Sequence, residues 1–220
     1  MPELLEGLDE LPEEFEVLRK LNTPRKIQDF ISNIPCNFED EGDTCLSPVQ
    51  VLQQNRAHCI EGAVLAAVAL RLQGFDPLIV DMEASAEDFD HVITVFKQYG
   101  HWGAISKTNH GVLRYRDPVY KTIRELVMSY FHEYFINENG KKSLRKYTEP
   151  INLSMFDDRG WMTSKEEIWY ISEYLTEVEH IPILNRSQLA SLRVASLTER
   201  KSGEIVQWIK KGDEVIHLFD

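Results

Sequence analysis

Residues 55–74 read NRAHCIEGAVLAAVALRLQG. From Cys59 to Gln73 the run is rich in alanine and leucine, and Gly74 offers the left-handed residue on which helices commonly end. A helix that is apolar nearly all round is a buried one, so the stretch predicts a central helix covered on every side. Its small residues Gly62, Ala63 and Ala66 would let a sheet approach closely. Cys59 stands at the first turn, where the macrodipole and unpaired amides stabilise a thiolate. An unpaired cysteine is by itself more often a small buried hydrophobe, so its neighbours decide what Cys59 is for.

Working outward, Ser47-Pro48-Val49-Gln50 has the form of a capping box, and a short helix runs from there towards Gln54. Upstream, Thr23-Pro24 caps a helix carrying Ile27, Phe30, Ile31 and Ile34, preceded by another with Leu11, Phe15, Leu18 and Leu21. Downstream, PLIVDM (77–82), HVITVFK (91–97) and WGAIS (102–106) read as strands, the last two joined by a Tyr99-Gly100 turn. A stripe from Ile123 to Phe135 predicts one amphipathic helix, and Ile168, Ile171, Leu175 and Val178 a second that starts near Thr163 or Ser164. Asn185 and Gln188 cap a shorter one, and EIVQWIKKGDEVIHLFD (204–220) reads as a hairpin. ENGKKSLRK (138–146) is the one stretch with the composition of a linker. The expectation is a single α+β domain over 1–220. Its core spans about 47–135, with helices at 11–34 before it and helices and a hairpin at 150–220 after it.

Composition narrows the function classes. Acidic residues outnumber basic ones 36 to 24, a formal charge of −12 that disfavours nucleic acid and anionic membranes as partners. MPELLEGLDELPEEFE at the start lacks the pattern of a secretory signal, and no stretch has the apolar length of a membrane span, so a cytoplasmic protein is expected. Cys36, Cys45 and Cys59 show no C-x-x-C spacing and are expected to be reduced thiols.

His91 opens a strand after EASAEDFD (83–90), at a sheet edge that can face the start of the helix. Histidine is the usual base for a thiol, and the pair need only be close in space. A two-residue turn at Tyr99-Gly100 pairs Gln98 with His101, which sets His91 opposite Thr108, or opposite Ser106 or Lys107 after a small slip. The group that orients His91 should therefore come from SKTN (106–109). Asn109 and Ser106 are the first candidates and Asp117 the next; asparagine can serve through its carbonyl oxygen. The Cys59 amide, with Gln53 or Gln54, would hold an oxyanion. His58 lines the mouth of the cleft or points to solvent.

AHCIEGAVLAA, DHVITVF and HWGAIS, in that order, resemble the core of the transglutaminase-like superfamily, which shares the papain-like cysteine-peptidase fold. The resemblance covers about residues 47–120, and the run from Ser106 to Phe135 is similar to bacterial members. It implies a nucleophile helix packed on an antiparallel sheet, with Cys59 as nucleophile and His91 as base, and it places Trp102 beside the substrate. The family's aspartate follows a strand tryptophan by four positions, and here that position holds Ser106.

The expected activity is a cysteine hydrolase or acyltransferase acting on an amide or thioester of a peptide, protein or small molecule, with no cofactor. The rival is an inactive papain-like scaffold that binds a peptide or protein, favoured by the absent aspartate. A metal site is disfavoured because His58, Cys59, His91, His101 and His110 lack tight ligand spacing. Oligomeric state is left open.

Overall fold

The apolar run forms helix α4 (Cys59–Leu72), in which every residue from Ile60 to Leu70 is buried. The protein, seen in a computed structural model that describes residues 11–219, is α+β, with α4 laid against an antiparallel sheet. In sequence, the sheet strands are β1 (Leu78–Ala84), β2 (His91–Gln98), β3 (His101–Ile105), β4 (Arg116–Tyr120), β5 (Leu144–Thr148), β6 (Ile151–Asn152) and β7 (His180–Pro182). They are ordered β4-β3-β2-β1-β5-β7, and β6 pairs with β1. A separate hairpin joins β8 (Trp208–Lys211) to β9 (Glu214–His217).

Strand alternation produces two cores. Val92 and Phe96 of β2 face the cluster around α4, with α1 (Glu16–Arg19), α2 (Pro24–Asn33), α3 (Pro48–Gln54) and α6 (Trp169–Glu177) contributing Leu18, Ile31, Val51 and Ile171. Ile93 and Val95 face the opposite cluster, shared with Met82, Leu126 and Tyr130. The Thr94 hydroxyl, on the α4 side, donates to the Ala63 carbonyl at 2.5 Å and pins helix to strand. Cys59 lies one turn before Ala63, about 6 Å along the helix, and His91 three residues before Thr94, about 10 Å along the strand. Thiol and imidazole are thus delivered to the same end of the sheet.

The β2–β3 turn has Tyr99 and Gly100 both at positive φ, 53° and 80°, the two-residue geometry that matches strand twist. It sets Gln98 opposite His101 and Thr94 opposite Ile105, the expected register. Pairing with β3 stops there, so no β3 residue lies across from His91, whose strand partner is Met82 of β1.

Three expectations are corrected. The helix after Lys121 is only α5 (Ile123–Met128). Beyond it the Ser129 hydroxyl takes the Leu126 carbonyl, and bonds three residues apart (Tyr130 to Val127, Phe131 to Met128) tighten the chain into turns. Tyr130, Phe131 and Tyr134 are buried all the same. The later helix begins at Trp169 rather than near Ser164, because the Ser164 hydroxyl bonds to Glu166 and the Ile168 amide is spent on the Cys45 carbonyl. Residues 138–146 are no linker: Lys142, Ser143 and Leu144 are buried where the chain enters β5, a strand between β1 and β7.

Gly62 faces Lys107, and a methyl group there would overlap that side chain's Cβ and Cγ. Gly62→Ala should therefore cost about 1–3 kcal/mol as an overpacking change, read as a lower urea midpoint with an unchanged slope.

Candidate active site

Two histidines flank the Cys59 sulfur, one from the helix cap and one from β2. His91 is buried, and its Nε2 lies 2.8 Å from Ser106 Oγ. The Ser106 hydroxyl donates to the Leu113 carbonyl at 2.5 Å. Its oxygen must then accept from His91 Nε2–H, which leaves Nδ1 to meet the sulfur and take up a proton. Ser106 is itself clamped by Gln28 of α2, which accepts from the Ser106 amide at 2.9 Å and donates to its carbonyl at 2.9 Å.

On the other flank His58 caps α4. Its Nε2 lies 2.9 Å from the Thr44 carbonyl, 3.3 Å from Glu61 Oε1 and 3.5 Å from Glu39 Oε1. A carbonyl can only accept, so Nε2 carries a hydrogen and Nδ1 is the nitrogen left for Cys59. Glu61 is 1% exposed. Its carboxylate accepts from the His58 amide at 2.9 Å, the Leu46 amide at 3.0 Å, the Thr44 hydroxyl at 2.7 Å and the Asn37 amide group at 3.1 Å.

Charges follow from these contacts. Burial by itself would push the Cys59 thiol up, but hydrogen bonds and charge from His58 and His91 outweigh it and hold the thiol down at about 5. Burial likewise would lower the value for His58, and its bonds to Cys59 and Glu61 reverse that and raise it to about 11. Glu61 is held at about 2, the His58 and backbone bonds outweighing its burial. The contrast is Cys45, a buried thiol driven up to about 12 by burial and by the Glu61 charge. Cys59, packed by protein atoms on most sides, is still reached by solvent. The arrangement can therefore hold a nucleophilic thiolate.

Of the expected site residues, Cys59, His91, Ser106 and His58 come together. Asn109 does not, since its side chain donates to the Trp208 carbonyl at 3.0 Å and accepts from the Trp208 amide at 2.7 Å, docking the C-terminal hairpin. Asp117 is exposed on β4. Gln53 and Gln54 are exposed too: Gln53 donates to Glu14 at 2.7 Å, and Gln54 accepts from Arg56 at 3.0 Å. Neither supplies an oxyanion contact, and the Cys59 amide is the candidate that is left. Trp102 pairs with Lys97, six residues along β2 from His91 and so about 20 Å away. His58 neither lines an open mouth nor points to solvent; it is tied down at both nitrogens.

Glu61 was missed by sequence reasoning. The signal was present, because one carboxylate in an otherwise apolar helix must be buried and so must be bonded. Beside His91 lies a cleft of about 550 Å³ whose walls include His91 and Leu113 but not Cys59. Among the described residues no group of three or more His, Cys, Asp and Glu side chains is arranged to hold a metal ion, and no helix is long and apolar enough to cross a membrane.

Glu61→Gln should cost roughly 3 kcal/mol at pH 7, because it leaves His58 charged and buried without its partner. Since the folded-state value for Glu61 is depressed from 4.5 to about 2, its contribution is complete above about 4.5 and is lost as the pH falls towards 2. Urea midpoints of wild type and Glu61→Gln should therefore converge as the pH drops through that window. Compared with family models and with curated proteins, the chain matches none.

Proposed function

We propose that the protein is a cysteine hydrolase or acyltransferase acting on an amide or thioester, on a transglutaminase-like, papain-like scaffold. The observation that carries the reading is the ordered relay from the Leu113 carbonyl through Ser106 and His91 to a Cys59 sulfur at a helix start. Such a relay leaves His91 with one nitrogen fixed as a donor and the other available for proton exchange with the thiol. Ser106, at the position where the resemblance expects an aspartate, does the orienting through a neutral acceptor.

In the cycle, His91 Nδ1 takes the thiol proton and the Cys59 thiolate attacks the carbonyl carbon, forming a carbon–sulfur bond. The oxyanion develops at the positive end of α4, near the Cys59 amide. Collapse breaks the bond to the leaving amine or thiol, which departs with the proton from His91. Water or an acceptor amine then gives His91 a proton as it attacks the thioester, and Cys59 leaves as the thiolate. The cleft beside His91 is large enough for an acyl donor or acceptor.

The test uses a Cys36→Ser, Cys45→Ala background so that Cys59 is the only thiol. Cys59 should be alkylated by iodoacetamide rapidly below pH 7, with a midpoint near 5, and p-nitrophenyl acetate should leave an acyl-enzyme detectable by intact mass. In the same background His91→Ala should slow turnover of that ester by about 10²-fold or more. A Cys59 that stays inert until about pH 8.5, the range of an ordinary thiol, would sink the proposal in favour of a binding scaffold.

A further inference from the structure

We propose that His58 is a second catalytic histidine, a fixed imidazolium that holds the Cys59 thiolate through the whole cycle, with Glu61 as its positioning residue, while His91 alone moves the proton. This rests on the function proposed above and assigns the two rings different work.

The geometry separates them. Both have Nε2 engaged, which leaves Nδ1 of each for its bond to Cys59, but the groups behind them differ in charge. Behind His91 stands a serine hydroxyl passing to a carbonyl. Behind His58 stand a carbonyl, a carboxylate in a buried pocket and a second carboxylate at the rim. A neutral acceptor orients a ring while favouring its charged form only weakly, whereas a carboxylate about 3.3 Å away favours the imidazolium strongly in a poorly solvated site. His58 is also anchored through its backbone, whose amide is bonded to the carboxylate that meets its ring. A ring fixed in this way keeps its charge when the sulfur becomes acylated, and the departing thiolate returns to a waiting cation.

The titratable groups facing this pair are Glu61 from α4, Glu39, Cys36 and Cys45 from the preceding loop, His91 from β2, Lys107 after β3, Asp81 from β1 and Tyr134 from the turns after α5. Lys107 donates to the Ile34 carbonyl and lies near Cys36. Asp81 is bonded to His180 at 3.0 Å. Glu61 is the carboxylate closest to the His58 ring, at 3.3 Å against 3.5 Å for Glu39.

The experiment compares His58→Gln, Glu61→Gln and His91→Gln in the Cys36→Ser, Cys45→Ala background. His58→Gln should raise the midpoint of Cys59 alkylation by one pH unit or more, so that the rate at pH 6 falls about tenfold, and Glu61→Gln should move it the same way by less. His91→Gln should move the midpoint less than His58→Gln, while the acyl-enzyme formed from p-nitrophenyl acetate accumulates because its hydrolysis stalls. Because the Glu61 variant can be unstable, the charge on His58 is also read in the unmutated ring by nitrogen-15 NMR of labelled histidine. Both nitrogens should remain protonated from pH 6 to 9. If His58→Gln leaves the midpoint in place, or if the His58 ring loses a proton in that range, this division of labour is wrong and the cysteine mechanism stands. A parent Cys59 that is inert until about pH 8.5 removes both.

Discussion

The buried carboxylate of Glu61 is the constraint around which the site is built. Donors from Asn37, Thr44, Leu46 and both the backbone and ring of His58 converge on it, tying the loop before α3 to the first turn of α4. A charge in that position is a poor way to gain stability, since a well-packed leucine avoids the desolvation cost altogether. What a carboxylate provides there is a common anchor: loop, cap and ring all bond to the same two oxygens. The position of the thiol relative to His58 follows from that network, while its position relative to His91 follows from the bond between Thr94 and Ala63.

The site therefore has two differently built halves meeting at one sulfur. One is local in sequence and ionic, made by a loop and a helix cap. The other is assembled from distant strands and is neutral, ending in a backbone carbonyl. Charge-assisted hydrogen bonds are roughly twice as strong as neutral ones, so the local half supplies the field and the distant half retains freedom to exchange a proton. Two of the cysteines show how much this matters: Cys45, buried within reach of the same Glu61 charge but without an imidazole, is pushed in the opposite direction from Cys59.

Much of the site could be read from sequence. Helix α4, the β2–β3 register and the meeting of Cys59 with His91 follow from an apolar run, a two-residue turn and the caps that precede them. Ser106 was reachable because the turn fixed its register to within a residue or two. Asn109 lay inside the same window, but its amide serves a hairpin about a hundred residues further on, and nothing local announces such a contact. Strands β5 to β7 were missed because they are short, from 2 to 5 residues, and hold their places through the neighbours they pair with more than through any pattern of their own. Glu61 escaped for a different reason, since reading the helix as uniformly apolar hid its one carboxylate, and with it the partner that turns His58 inward.

The clamp between Gln28 and Ser106 joins residues 78 positions apart. Where β3 leaves the sheet, that one side chain supplies both the donor and the acceptor that a neighbouring strand would have offered. During synthesis the thiol at position 59 emerges well before residues 91, 106 and 113, and so before the parts that would orient its distal imidazole exist. The nascent cysteine has only its local partners for that interval. The full relay closes when an early helix and a later strand find each other, so orientation of the His91 ring is coupled to completion of the fold.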